Sequence, residues 1–236
     1  MASPAKSNSI LDSLPSRDLR KISRALEFVR LPRNSAIFHA GKRSEYLYFP
    51  TGAVISFLGE TGSGGSIEVW SVGHEGAAGI ADLLGHPNPF PGVVQVEGAA
   101  IRARASILRK HFQENNAFHD AALGYLQQLV TQVSYLGICN NSHPLVQRLS
   151  RWLLVMDDRV GERTLHFTQD TIAGALGTRR ATISVAAAEL QVAGLIRYTP
   201  GAITIESRRG LRKVACGCYK VIRKAALGEQ SRRRLA

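Results

Sequence analysis

The chain has 236 residues, 44% of them hydrophobic, which is enough for two modest domains that each bury a core. Three cysteines exclude a disulfide framework, no apolar run is long enough to span a bilayer, and the start MASPAKSNS lacks the apolar segment of a secretory signal, so a cytoplasmic location is expected. The net charge of +12 is unevenly placed: residues 1–140 carry 13 Lys/Arg against 11 Asp/Glu, and residues 141–236 carry 17 against 7. A polyanion is therefore expected to bind the second half. The terminal basic residues lack an amphipathic pattern, which favours a phosphate backbone over a membrane surface.

Residues 1–9 read as a flexible leader. Leu11 to Leu26 reads as a short helical region, with Leu19, Ile22 and Leu26 at helical intervals after Leu14-Pro15. From Phe28 to about Ile107 short apolar segments (SAIFH, YLYFPTGAVISFL, SIEVWSVG, GVVQVEG, AAIRARA) alternate with Gly- and Pro-rich breaks, the texture of a jelly roll or related barrel. Residues 10–112 are expected to form this N-terminal domain. His74-Glu75, between Gly73 and Gly76, reads as a polar turn or as pocket lining. His111 and His119, eight residues apart, form no ligand pair.

Phe118, Ala122, Leu126, Leu129, Val133 and Leu136 recur at three- and four-residue spacing, and Leu123 and Val130 widen the apolar face. A helix with two apolar faces needs two partners. One face is expected to cover the barrel and the other to meet the same helix of a second subunit, with Leu126, Leu129, Val133 and Leu136 at the dimer interface. This helix and its hinge are assigned to residues 113–142. The NNSHP stretch at 140–144 interrupts it, and Pro144 suits the start of a following helix that carries Val146, Leu149, Trp152, Leu153 and Val155.

The segment TQDTIAGALGTRRATISVAAAELQVAGLIRYTPGAITI, from Thr168 to Ile205, reads as two short helices, a tight turn and a hairpin: a winged helix-turn-helix for double-stranded DNA. Thr168 caps the first helix, Ile172, Ala173 and Leu176 give it a buried face, and Gly177 permits the turn. Thr178 is expected to cap the second. In that helix Ile183, Ala187 and Leu190 face inward, leaving Arg180, Arg179, Thr182, Ser184 and Val185 to reach base edges. Thr168, Gln169, Thr178 and, beside the wing, Arg197 are expected at phosphates. Gly194 ends the helix and Pro200-Gly201 turns the hairpin. The DNA-binding domain is assigned to residues 143–227, and 228–236 to a basic flexible tail.

The order of these elements resembles the Crp/Fnr superfamily of bacterial transcription regulators over residues 14–219. The resemblance rests on YFPTGAV (Tyr48 to Val54), VGHEGAAG (Val72 to Gly79), QRLSRWLL (Gln147 to Leu154), the helix-turn-helix with its wing, and ACGCY (Ala215 to Tyr219). It implies an α+β chain: a cyclic-nucleotide-binding-like sensor barrel, a long dimerisation helix and a winged domain that reads a pseudopalindrome as a homodimer. It also implies that Arg180 reads a guanine. Where cyclic-AMP-responsive members carry Glu and a second Arg, this chain has Ala181 and Val185.

The sensor departs further from that pattern. No Lys or Arg occurs between Ile80 and Ala100, where a cyclic phosphate would need a cation, and Arg102 and Arg104 alternate as on a partly exposed strand. The first 138 residues contain no cysteine, so the Fnr iron-sulfur ligands are missing. Cys216-Gly-Cys218 is shorter than the usual metal spacing, and closing a zinc site with Cys139 would need a further ligand such as His143. The plain reading is ordinary thiols, so no metal or cofactor is assigned and any small-molecule effector is unidentified. Asp157-Asp158 has no accompanying nucleophile, and an enzyme is not expected. The rival to a regulator is a protein-interaction adaptor on the same fold, and a regulator with an unusual cyclic-nucleotide pocket is a second alternative. Activation would add RNA polymerase as a partner, whereas repression needs only occlusion.

Overall fold

Proline 15 decides the first local outcome. It lacks an N–H and pushes the preceding residue out of the helical region, and Leu14 accordingly sits at φ −75°, ψ 135°. In the computed structural model the expected helical region is therefore two helices, α1 (Ser9–Ser13) and α2 (Ser16–Ser23). The structure describes residues 7–62, 65–114 and 116–232, the last five without their side chains. Asn8 falls within the stretch expected as flexible leader, yet it is buried and caps α1. Its amide donates to the carbonyls of Pro50 (3.0 Å) and Gly76 (2.8 Å). Those bonds tie the backbone down here and correct the expectation for this residue; residues 1–6 lie outside the described residues.

The glycine-divided segments form strands β1 (Glu27–Leu31), β2 (Ala36–Phe38), β3 (Tyr46–Pro50), β4 (Val54–Glu60), β5 (Ser66–Val72), β6 (Gly92–Val96) and β7 (Gly98–Arg104). They make two sheets, of order β1-β7-β3 and β2-β6-β4-β5, with antiparallel pairing in β1–β7, β3–β7, β2–β6 and β4–β6. The long apolar run YLYFPTGAVISFL breaks into β3 and β4 because the N–H groups of Thr51, Gly52 and Ala53 all turn to the carbonyl of Ala99. Phe38, Leu47, Phe49, Ile55 and Val94 are buried in the barrel core. Phe57 stacks on Phe38 at 5.4 Å and on Trp70 at 4.5 Å between ring centroids.

Helix α3 (Ala105–Gln113) follows β7, and α4 (Ala117–Ser142) is the long helix expected from its periodicity. Phe118, Ala122 and Tyr125 are buried with the barrel core, and Leu126 and Leu129 pack against it half-buried. Gly76 lies so close to Tyr125 that a β-carbon there would sit 2.1 Å from the ring. Gly76→Ala should therefore cost about 1–3 kcal/mol by overpacking, and Tyr125→Leu in the same chain should return part of it. Thermal unfolding of the two variants checks this; an unchanged single variant would show that the ring yields freely.

The chain divides into two compact units, the first centred on the segment up to Val130 and the second on Thr131–Ala225. The second contains α5 (Leu145–Val160), β8 (Thr164–Leu165), α6 (Gln169–Leu176), α7 (Arg180–Val192), β9 (Ile196–Thr199), β10 (Ala202–Ile205) and α8 (Arg208–Val214), followed by α9 (Cys218–Arg232). β10 pairs antiparallel with both β8 and β9. Helix α9 continues to Arg232, so the tail expected as flexible over 228–236 is helical in its first part; residues 233–236 lie outside the described residues. Among the described residues no helix is long and apolar enough to cross a membrane.

Candidate nucleic-acid interface

The surface is built from the turn outward. Thr168 caps α6 by accepting from the N–H of Thr171 at 3.1 Å, and Gly177, at φ 58°, ends it in the left-handed region that favours glycine. Thr178 still belongs to this ending, because its N–H donates to the carbonyl of Ala173 at 3.0 Å. The cap expected at Thr178 is therefore displaced to Arg179, which caps α7 without a side-chain hydrogen bond. Helix α7 buries Ile183, Ala186, Ala187 and Leu190. It leaves Arg179, Arg180, Thr182 and Val185 exposed and Ser184 half-buried.

Gln169 organises the exposed end. Its Oε1 accepts from Arg180 Nε at 3.4 Å and from Ser184 Oγ at 2.8 Å. Asp170 lies 4.0 Å from the same Arg180 nitrogen, an exposed and weak ion pair. The sequence suggested Gln169 only as a phosphate contact. Its place eleven residues before Arg180 gave no sign that it orients two of the expected base readers.

Gly201, at φ 80°, turns the hairpin of β9 and β10 as expected. Arg197 on β9 is opposite Thr204 and 3.0 Å from Glu206, in an exposed pair worth about 0–1 kcal/mol. It would have to exchange that carboxylate for a phosphate.

Behind the surface, Asp157 and Asp158 at the end of α5 are both engaged by Arg208 of α8. The Tyr219 hydroxyl donates to Asp158 at 2.8 Å and accepts from Arg208 at 3.0 Å. Burial, and then the Asp158 charge, push the Tyr219 phenol up from its ordinary range. The aspartate pair thus fastens α5 to α8 and the start of α9. Arg148 of α5 donates to the carbonyl of Leu176 at the end of α6, which sets the turn against the helix beneath it.

Residues 147–214 match the model of the Crp-like helix-turn-helix domain. The chain is similar in structure to a CRP-family transcriptional regulator of Thermus thermophilus, with TM-score 0.68, 17% identity and coverage of 79% of this chain and 96% of that one. It is similar also to FixK2 of Bradyrhizobium japonicum, with TM-score 0.71, 14% identity and coverage of 81% and 98%. For the c-di-GMP-responsive global regulator CLP of Xanthomonas campestris the TM-score is 0.67, with 13% identity and coverage of 82% and 100%. No curated protein matches the chain. The fold is that of Crp/Fnr regulators. Gln169, Arg180, Ser184 and Arg197 all lie inside the matched Crp-like domain.

In the barrel of this Crp/Fnr fold, the two arginines weighed as phosphate partners are already engaged. Arg102 pairs with Glu27 at 3.0 Å and lies 4.1 Å from the centre of the Tyr46 ring; Arg104 pairs with Glu45 at 3.0 Å. The 3-10 turn Ile80–Leu84 carries Asp82, which is fully buried and accepts from Ser44 N and Asn88 Nδ2. His74-Glu75 forms a turn in which the Glu75 carboxylate accepts from the N–H of Gly73 at 3.2 Å.

The four groups considered for zinc do come together: Cys139, His143, Cys216 and Cys218 place their ligand atoms within 4.8 Å of one another. The exposed large apolar residues of the long helix are Leu123, Val130 and Ile138, at 43%, 60% and 50%. Of the four expected at a dimer interface, Leu126 and Leu129 are half-buried and pack in part on the barrel core, and Val133 and Leu136 are half-buried.

Proposed function

We propose that this chain is a sequence-specific transcription regulator that binds a pseudopalindromic site as a homodimer. The observation that carries the reading is the exposed end of α7, where Gln169 orients Arg180 and Ser184 within a Crp-like domain in the strongly basic half of the chain. A guanidinium held at its Nε keeps its terminal N–H groups available for guanine O6 and N7. Arg179, Thr182 and Val185 flank it, the last suited to a thymine methyl. Thr168, Thr178 and Arg197 supply phosphate contacts, which set affinity and register rather than sequence.

Pairing of two copies is assigned to α4. Leu123, Leu126, Val130, Val133 and Gly137 recur at three- and four-residue steps along one face, the spacing of a two-helix seam. Open space surrounds Gly137, so a second helix has room to approach there. An effector for the barrel is unidentified. The engaged Arg102 and Arg104 and the cation-free stretch from Ile80 to Ala100 favour a regulator that does not take cyclic AMP in the usual manner.

The test is to expose the purified full chain to fragmented genomic DNA, sequence the bound fragments, and follow the oligomeric state of wild type and Val130→Lys by sedimentation. A two-fold symmetric motif is expected, with Val130→Lys shifting the protein to monomer and losing affinity for the paired half-sites. Enrichment of single, unpaired half-sites by a monomeric wild type would overturn the dimer. A lack of salt-dependent duplex binding would favour the adaptor reading.

A further inference from the structure

We propose that Cys139, His143, Cys216 and Cys218 form a structural zinc site that ties the end of α4 to the junction of α8 and α9. Cys139 and His143 are one helical turn apart, and the N–H of His143 still donates to the carbonyl of Cys139 at 3.2 Å, so both side chains project from one face. Cys216 and Cys218 bracket a single glycine at the start of α9. Chain folding brings the two pairs together across 77 residues: Cys139 Sγ lies 3.4 Å from Cys216 Sγ, and Cys218 Sγ lies 3.8 Å from His143 Nδ1. A tetrahedral zinc with Zn–S bonds of about 2.3 Å holds its sulfurs about 3.8 Å apart. All four ligand atoms fit inside 4.8 Å, so small side-chain movements close the shell.

A second observation points to the same ion. Arg151, only 3% exposed, has no carboxylate partner among the described residues, and its Nε has no hydrogen-bond partner. A buried cation without a counter-charge is strongly unfavourable. Three thiolates and a neutral histidine around Zn2+ carry one net negative charge, which the buried Arg151 is placed to balance. Metal binding releases the thiol protons to solvent and changes no oxidation state.

The full chain, purified under reductant and stripped of metal, should take up one Zn2+ per chain. Co2+ in its place should give the intense visible absorption of a tetrahedral site together with a thiolate-to-cobalt charge-transfer band. Cys216→Ser should abolish the charge-transfer spectrum or shift it strongly, and His143→Ala, at a half-buried position, should weaken Zn2+ retention at least tenfold while circular dichroism shows the fold intact. Zinc should also raise the thermal midpoint of wild type, an effect that diminishes as acid protonates the thiols. A folded, reduced wild type that takes up no metal, an octahedral cobalt spectrum, or a Cys139–Cys216 disulfide in metal-free protein prepared without air would overturn the site. Metal uptake unchanged in both variants would overturn it as well.

Discussion

Trp152→Ala is expected to destabilise the second unit by about 3–5 kcal/mol, a large fraction of the stability of a domain of this size. Trp152 is 2% exposed on α5, and its ring meets Phe167 edge-on at 4.8 Å between centroids. Leu149 and Leu153 of the same helix are fully buried with it. Its indole N–H has no hydrogen-bond partner among the described residues, so the residue contributes packing without a polar anchor. Trp152→Phe should therefore lose far less: it removes ring volume but also an unpaired buried N–H whose burial costs about 1–3 kcal/mol. Urea unfolding followed by circular dichroism separates the two. Equal losses in the Ala and Phe variants would show that the contribution of Trp152 is not the filling of this core.

Arg180→Ala is expected to weaken binding to the preferred operator by about 1–3 kcal/mol per contact, roughly five- to 150-fold, and to relax the preference for guanine at one position in each half-site. The residue is exposed on α7 and its removal opens no cavity, so thermal stability and oligomeric state should not move. Binding to random duplex at the same salt should fall far less than binding to the operator. Gln169→Ala is the companion, because it keeps the guanidinium and removes the acceptor that orients it. An intermediate loss is expected from it. Fluorescence anisotropy on operator and scrambled duplexes, repeated at several salt concentrations, reads both effects; an equal loss on the two duplexes would reduce Arg180 to a phosphate contact.

The outcomes at individual residues show why some features were legible before folding and others were not. The cap at Thr168, the left-handed Gly177, the inward set Ile183, Ala187 and Leu190, and the turn at Gly201 all came out as expected. Each depends on neighbours within a turn or two. Thr178 failed as a cap because its N–H was still needed by α6, a competition between adjacent elements that residue type does not reveal. Periodicity gave the width of the apolar face of α4 but not that Leu126 and Leu129 pack in part against the barrel core. Arg197 and Arg208 look alike in sequence, yet one is exposed beside a wing carboxylate and the other fastens two helices through Asp157 and Asp158.

By itself the sequence determined the kind of molecule: a glycine-punctuated barrel, a long apolar helix, and a basic winged helix-turn-helix whose Arg180 stands outside the apolar stripe. Helical and strand periods, caps and turns are local and leave a regular trace in residue order. Only the tertiary structure decided which side chains work together: Gln169 with Arg180 and Ser184, Arg102 with Glu27, and Cys139 and His143 with Cys216 and Cys218. Gln169 and Arg180 are eleven residues apart and Cys139 and Cys216 are 77, and no periodicity links such partners. Their meeting is set by how the cores pack, which is where the specificity of the interface and the proposed metal site are fixed.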